Sequence, residues 1–140
     1  MTSRQSRRVA EETSQMTFFE RYFELLDGPD PHSSLELVAE DVEFSIQWAP
    51  DTSRKSSQFV GGLQELRGFI DAGDMEGWAH YVVESGLSGD VEFALGETRW
   101  DTGERIGTFL AVAQLAEDGR MRRYMVARSA ALAFPHASDD

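Results

Sequence analysis

Glu97 and Arg99 stand two residues apart in an apolar run, Val91 to Trp100, and in an extended strand that spacing sets both side chains on one face. If Phe93 and Leu95 face the interior, Glu97 and Arg99 share that face one pair further along, toward the mouth of any cavity. A carboxylate and a guanidinium so placed can pair with each other or orient a substrate, and burial would raise the Glu97 pKa toward that of a general base. The plainer alternative is a rim ion pair, which contributes little. His80, at the start of a second strand-like run, is the other candidate base, although a lone strand histidine also serves as a satisfied structural group. Asp51 and His32 fall in loops that could fold over a mouth.

Other chemistries are poorly supplied. The chain has no cysteine, which removes disulfides, thiolate zinc sites and a cysteine nucleophile. Histidines at 32, 80 and 136 have no metal-ligand spacing, so neither a metal nor an organic cofactor is expected. A single lysine, Lys55, leaves little room for Schiff-base chemistry. The formal net charge of -12 repels polyphosphates, which argues against nucleic acid and anionic membrane as partners and leaves neutral or cationic ligands open. With no apolar run long enough to span a bilayer, and no hydrophobic stretch after Arg7-Arg8, the chain reads as cytoplasmic.

The elements that must position these groups follow from periodicity. At 140 residues, 41% of them hydrophobic, one domain with a modest cavity is expected, spanning 14–133 between an arm (1–13) and a tail (134–140). Met16, Phe19, Tyr22, Phe23 and Leu26 predict an amphipathic helix, with Thr17 and Glu20 spaced as a capping box and Gly28-Pro29 ending it. A short helix is predicted from Ser33, with Glu36 reaching back to its cap, and a third over Leu63, Leu66, Phe69 and Ile70. Val42, Phe44, Ile46 and Trp48 alternate as the buried face of a first strand, and the segment Ala49 to Ser57 reads as a loop. Four further strands, broken at Ser88-Gly89-Asp90, Asp101-Thr102-Gly103 and Glu117-Asp118-Gly119, predict an antiparallel meander. The class is therefore α+β, three N-terminal helices against a curved antiparallel sheet. Arg120, Arg122, Arg123 and Arg128 read as a basic run that neutralises nearby acid.

Phe19-Glu20-Arg21-Tyr22-Phe23 on a helix, Leu37 to Phe44 leading into a strand, Val60-Gly61-Gly62 opening a helix, and hairpins beyond resemble the SnoaL-like branch of the nuclear transport factor 2-like superfamily over nearly the whole chain. The resemblance implies a cystatin-like cone enclosing an apolar pocket that takes a hydrophobic small molecule, with Phe19, Phe44, Ile46, Trp48, Phe93, Leu95, Arg99, Tyr124 and Val126 as binding candidates. In the ketosteroid isomerases of that superfamily a helix tyrosine donates to a developing oxyanion; it matches Tyr22, which can equally be a core residue. By the resemblance, the base position of those enzymes falls at Ile46 and the second-acid position at or beside Ala111. By the pattern of limonene epoxide hydrolase, the tyrosine, asparagine and later aspartate fall at Phe44, Ile46 and Val126. None of these can carry a proton.

Three functions fit. One is an enzyme (an isomerase, cyclase, dehydratase or hydrolase) acting on a polycyclic, steroid- or terpenoid-like substrate, with Tyr22 as donor and Glu97 or His80 as base. Another is a binding module of the same fold without catalysis. The third is an assembly protein using the opposite sheet face, where Trp100, Ile106, Leu110, Val112 and Met125 would form an apolar patch best covered in a homodimer.

Overall fold

Helix α1 (Phe18–Leu26) opens at the expected capping box: Thr17 Oγ1 accepts the Glu20 amide at 3.3 Å and Glu20 Oε1 accepts the Thr17 amide at 3.2 Å. The computed structural model, which describes residues 16–48, 57–72 and 77–134, adds a second acid at this helix end. Glu92, buried on the sheet, accepts the Phe18 and Phe19 amides at 3.2 and 2.8 Å. All four of the amides that a helix start leaves without partners, those of Thr17, Phe18, Phe19 and Glu20, are thereby satisfied, and the Glu92 carboxylate complements the positive end of the dipole. Phe18, Phe19, Tyr22, Phe23 and Leu26 are all buried, the stripe their spacing predicts.

The predicted second helix is a 3₁₀ segment, Pro31–Leu37. It begins at a proline, whose missing N–H costs nothing in a first turn, and the Ser33 hydroxyl donates backward to the Asp30 carbonyl at 2.6 Å instead of capping forward. Ser34 does the same to Pro31, at 2.8 Å. These i−3 bonds fit the tighter turn. Strand β1 (Val38–Trp48) follows, then β2 (Ser57–Gly61), helix α2 (Leu63–Asp71), β3 (Trp78–Ser88), β4 (Val91–Trp100), β5 (Arg105–Leu115) and β6 (Met121–Ser129). No helix among the described residues is long and apolar enough to cross a membrane. The arm 1–13, the loop residues 49–56 with Asp51, and tail residues 135–140 lie outside the described residues.

The sheet order is β2-β1-β6-β5-β4-β3. Strands β3 to β6 form the predicted meander, and β2 is an unexpected strand that hairpins back on β1. The sheet is mixed, not wholly antiparallel, because β1 and β6 pair in parallel. Turn chemistry fixes the direction of consecutive strands only, and β1 and β6 are joined through everything between them.

The expected parity of β4 is reversed. Its inner face carries Glu92, Ala94, Gly96 and Thr98, all buried, while Phe93 is 42% exposed on the outer face with Leu95. The cause is the volume already occupied above the strand. Phe109 is buried against α1, its ring 5.2 Å from Phe23, and a Cβ on Gly96 would fall inside the van der Waals surface of that ring. Only small residues fit beneath. Leu110, Val112 and Met125 lie on the outer face as predicted, Phe93 beside Val112 and Val112 beside Met125. Trp100 instead shares the alternation of Gly96 and Thr98 and pairs with Trp78, while Ile106 is the extra residue of a β5 bulge.

Candidate active site

Alternation along β6 puts Tyr124, Val126 and Arg128 on the inner face, beside Phe44 and Ile46 of β1. Helix α2 and strand β2 close over these residues, Phe59 and Phe69 meeting at 5.0 Å between ring centres. The cavity they border has a volume of about 580 Å³, within the range that holds a small organic molecule. Its lining is mixed: Phe44, Ile46, Phe59, Phe69 and Val126 are apolar, whereas Trp78, His80, Tyr124 and Arg128 carry polar groups. Among the described residues, no three His, Cys, Asp or Glu side chains are grouped to hold a metal.

His80 is held on every side. Asp27, the residue that ends α1, accepts the His80 amide through Oδ2 at 2.7 Å and pairs with Nδ1 through Oδ1 at 3.0 Å. A carboxylate cannot donate, so Nδ1 carries the proton and Nε2 keeps a lone pair. Both side chains are nearly buried, at 11% and 10% exposure. The imidazole stacks on Phe23, with ring centres 4.3 Å apart, and meets Phe109 edge-on. Burial lowers the His80 pKa; the Asp27 hydrogen bond and charge oppose the shift, and the charge of Arg128 adds to it. The ring is therefore neutral at neutral pH.

Arg128 donates from Nη2 to Thr98 Oγ1 at 2.8 Å, and its guanidinium lies 5.2 Å from the centre of the Trp78 ring. Thr98 is fully buried and stands opposite His80 in the β3–β4 ladder. Burial lowers the Arg128 pKa to about 10, so the group remains a cation at neutral pH. Tyr124 is pushed the other way: burial raises its pKa, and its phenol stays protonated.

No protein-family model and no curated protein matches the sequence. Solved structures match it by shape. A SnoaL-like family protein from Agrobacterium tumefaciens superposes with a TM-score of 0.64 at 14% identity, over 84% of this chain and 98% of its own. SalBIII, an epoxide hydrolase/cyclase-like enzyme of pyran ring formation in the polyether salinomycin, gives 0.60 at 11% identity, over 85% and 93%. A protein of ketosteroid isomerase-like fold from Catenulispora acidiphila gives 0.60 at 11%, over 81% and 85%. The chain shares the SnoaL-like, ketosteroid isomerase-like fold of these proteins.

Within this SnoaL-like fold, five of the candidate site residues, His80, Phe44, Ile46, Tyr124 and Val126, lie on the cavity wall. Tyr22 and Phe19 do not. Tyr22 is 1% exposed in the aromatic core, packed against Phe18 and Tyr124 with its hydroxyl bonded to Ser34, and burial raises its pKa. Phe19 is fully buried behind it. Phe93, Leu95, Glu97 and Arg99 are on the outer face, a correction that follows from the reversed β4 parity. There Glu97 Oε1 accepts Arg99 Nε at 2.9 Å and Nη2 at 2.6 Å, the plain ion pair of the alternative reading. Trp48 ends β1, and its side chain lies outside the described residues. His32 pairs with Asp71 on the exposed surface, away from the cavity wall.

The sequence reading missed Trp78 and Arg128 on the cavity wall, and Asp27 behind His80. For Arg128 a signal existed: two steps of alternation from Tyr124 through Val126 reach it. Asp27 had none, since it reads as the end of a helix and meets His80 only in three dimensions.

Proposed function

We propose that this SnoaL-like chain is an enzyme of small-molecule metabolism, binding a hydrophobic carbonyl compound and moving a proton on it through His80. The observation that carries the reading is His80 on the wall of a largely apolar cavity, held from behind by Asp27. His80 Nε2 would take a proton from the carbon beside the carbonyl, and the C–H electron pair would move into an enolate. Tyr124, still protonated, would donate to the enolate oxygen, and Asp27 would balance the imidazolium. Return of the proton to another carbon gives isomerisation, attack of the enolate on an internal electrophile gives cyclisation, and expulsion of a β-oxygen gives dehydration. The structural neighbours support this class of chemistry only as relatives in fold.

The test is α-proton exchange of 2-tetralone in deuterated buffer, followed by NMR. The expected result is exchange well above the buffer rate, lost in His80→Gln. Binding of the ketone without exchange would sink the enzymatic reading and leave the alternative, a ligand-binding protein, which the apolar Phe44, Ile46 and Val126 would suit. The outer face supports pairing of two copies through the sheet, with Phe93, Leu110 and Met125 between 42% and 53% exposed side by side.

A further inference from the structure

We propose that the ligand carries a carboxylate and that Arg128, oriented by Thr98 and Trp78, anchors it, so that the substrate class is a hydrophobic acid. The inference rests on the reading of the cavity as a binding site. A guanidinium presents five N–H donors in a planar fork, a shape that matches the two oxygens of a carboxylate. Here the fork is fixed before any ligand arrives. Thr98, fully buried, accepts from one end at 2.8 Å, and the guanidinium carbon lies over the Trp78 ring, 5.2 Å from its centre. A long side chain ordered in advance loses less conformational freedom on binding, which is what an anchoring residue needs.

The other charges around the cavity are compatible with an anion at this end. Glu65 is the acid on the wall among the described residues; it belongs to α2, and its Oε1 accepts the Gly62 amide at 2.8 Å. Asp27 lies behind His80, not on the wall, with its oxygens on the His80 amide and ring. A carboxylate at Arg128 leaves the apolar Phe44, Ile46, Phe59 and Phe69 for the body of the molecule, with His80 in the same lining. The net charge of -12 opposes an anion at long range, so any preference for one must arise at this guanidinium.

Calorimetric titration of the full chain with 2-naphthoate and with neutral 2-naphthamide tests the inference. The expected result is at least tenfold tighter binding of the carboxylate, in line with a charge-assisted contact of about 1.5–3 kcal/mol. Arg128→Met should abolish that preference while leaving naphthamide within threefold. Thr98→Val, which keeps the charge but frees the fork, should weaken naphthoate several-fold and spare naphthamide. Equal affinity for both probes in the native protein, or a preference that survives both substitutions, overturns the inference. If naphthamide binds as well as naphthoate while tetralone exchange persists, the proton-transfer reading stands and this one falls. If neither probe binds, this inference falls, and tetralone exchange alone decides the proton-transfer reading.

Discussion

Replacing Asp27 with asparagine keeps the shape of the side chain and removes its charge, so it isolates what the carboxylate does for His80. In the native chain one oxygen accepts the His80 amide at 2.7 Å and the other pairs with Nδ1 at 3.0 Å. An amide offers one acceptor oxygen and one donor group, so it cannot hold both in the same way. If its oxygen keeps the backbone N–H, its NH₂ meets Nδ1, and the imidazole proton must move to Nε2. The atom available to a substrate then changes from acceptor to donor. Losing one charge-assisted hydrogen bond should cost about 1.5–3 kcal/mol. At about 4 °C per kcal/mol for a domain of this size, Tm should fall by roughly 6–12 °C. The His80 pKa should fall further below 6.5, because the Asp27 bond and charge both favour the imidazolium. Nitrogen-resolved NMR of the imidazole reads tautomer and pKa without any substrate. Tetralone exchange should drop by about 10²–10⁴, the usual contribution of a general base. An Asp27→Asn variant with an unchanged His80 tautomer and exchange within twofold of native would refute the assignment of Asp27 as the positioning residue.

Other consequences can be checked independently. Gly96→Ala places a Cβ against the Phe109 ring and 2.5 Å from the Tyr81 carbonyl oxygen, so it should cost about 1–3 kcal/mol or more in denaturant titration; an unchanged midpoint would contradict the packing of α1 on β4. Because the folded pKa of His80 is lowered below 6.5, the unfolded chain takes up that proton first as pH falls. Native stability relative to His80→Gln should therefore decline below pH 6.5, by at most about 1.4 kcal/mol per pH unit, and stay level above it. A gap that is the same at pH 5.5 and 7.5 (roughly one unit either side of an ordinary histidine) would refute the shift. Sedimentation should show a dimer that Leu110→Asp combined with Met125→Asp converts to monomer, whereas a native monomer would exclude pairing through the outer face.

Local signals in the sequence were read correctly where local physics decides the outcome. The Thr17 and Glu20 capping box, the apolar stripe of α1 and the hairpin breaks each depend on neighbours a few residues apart, and each forms. Strand β4 shows where such reading fails. It carries side chains of two sizes, Phe93 and Leu95 on one face and Ala94 and Gly96 on the other, and the rule that larger apolar groups point inward selects the wrong one. What decides is the space left under α1 by Phe109, which lies on a different strand. That one reversal moves Glu97, Arg99, Phe93 and Leu95 out of the site together.

The polar groups that remain are on a different wall from the one the family resemblance points to. Strand β1 offers Phe44 and Ile46, and the later strands offer Ala111 and Val126, all apolar. The ionisable groups are instead supplied by the end of α1, by β3 and by the far end of β6. Arg128 hid within a basic run whose other members do serve the surface, Arg122 pairing with Asp41 and Arg123 with Glu43. Alternation separates it from them: Tyr124, Val126 and Arg128 face the cavity, while Arg123 and Met125 face outward. A cavity of this shape can therefore keep its apolar half and take its proton chemistry from another edge of the sheet, so the absence of an acid at Ile46 does not by itself mean the absence of a base.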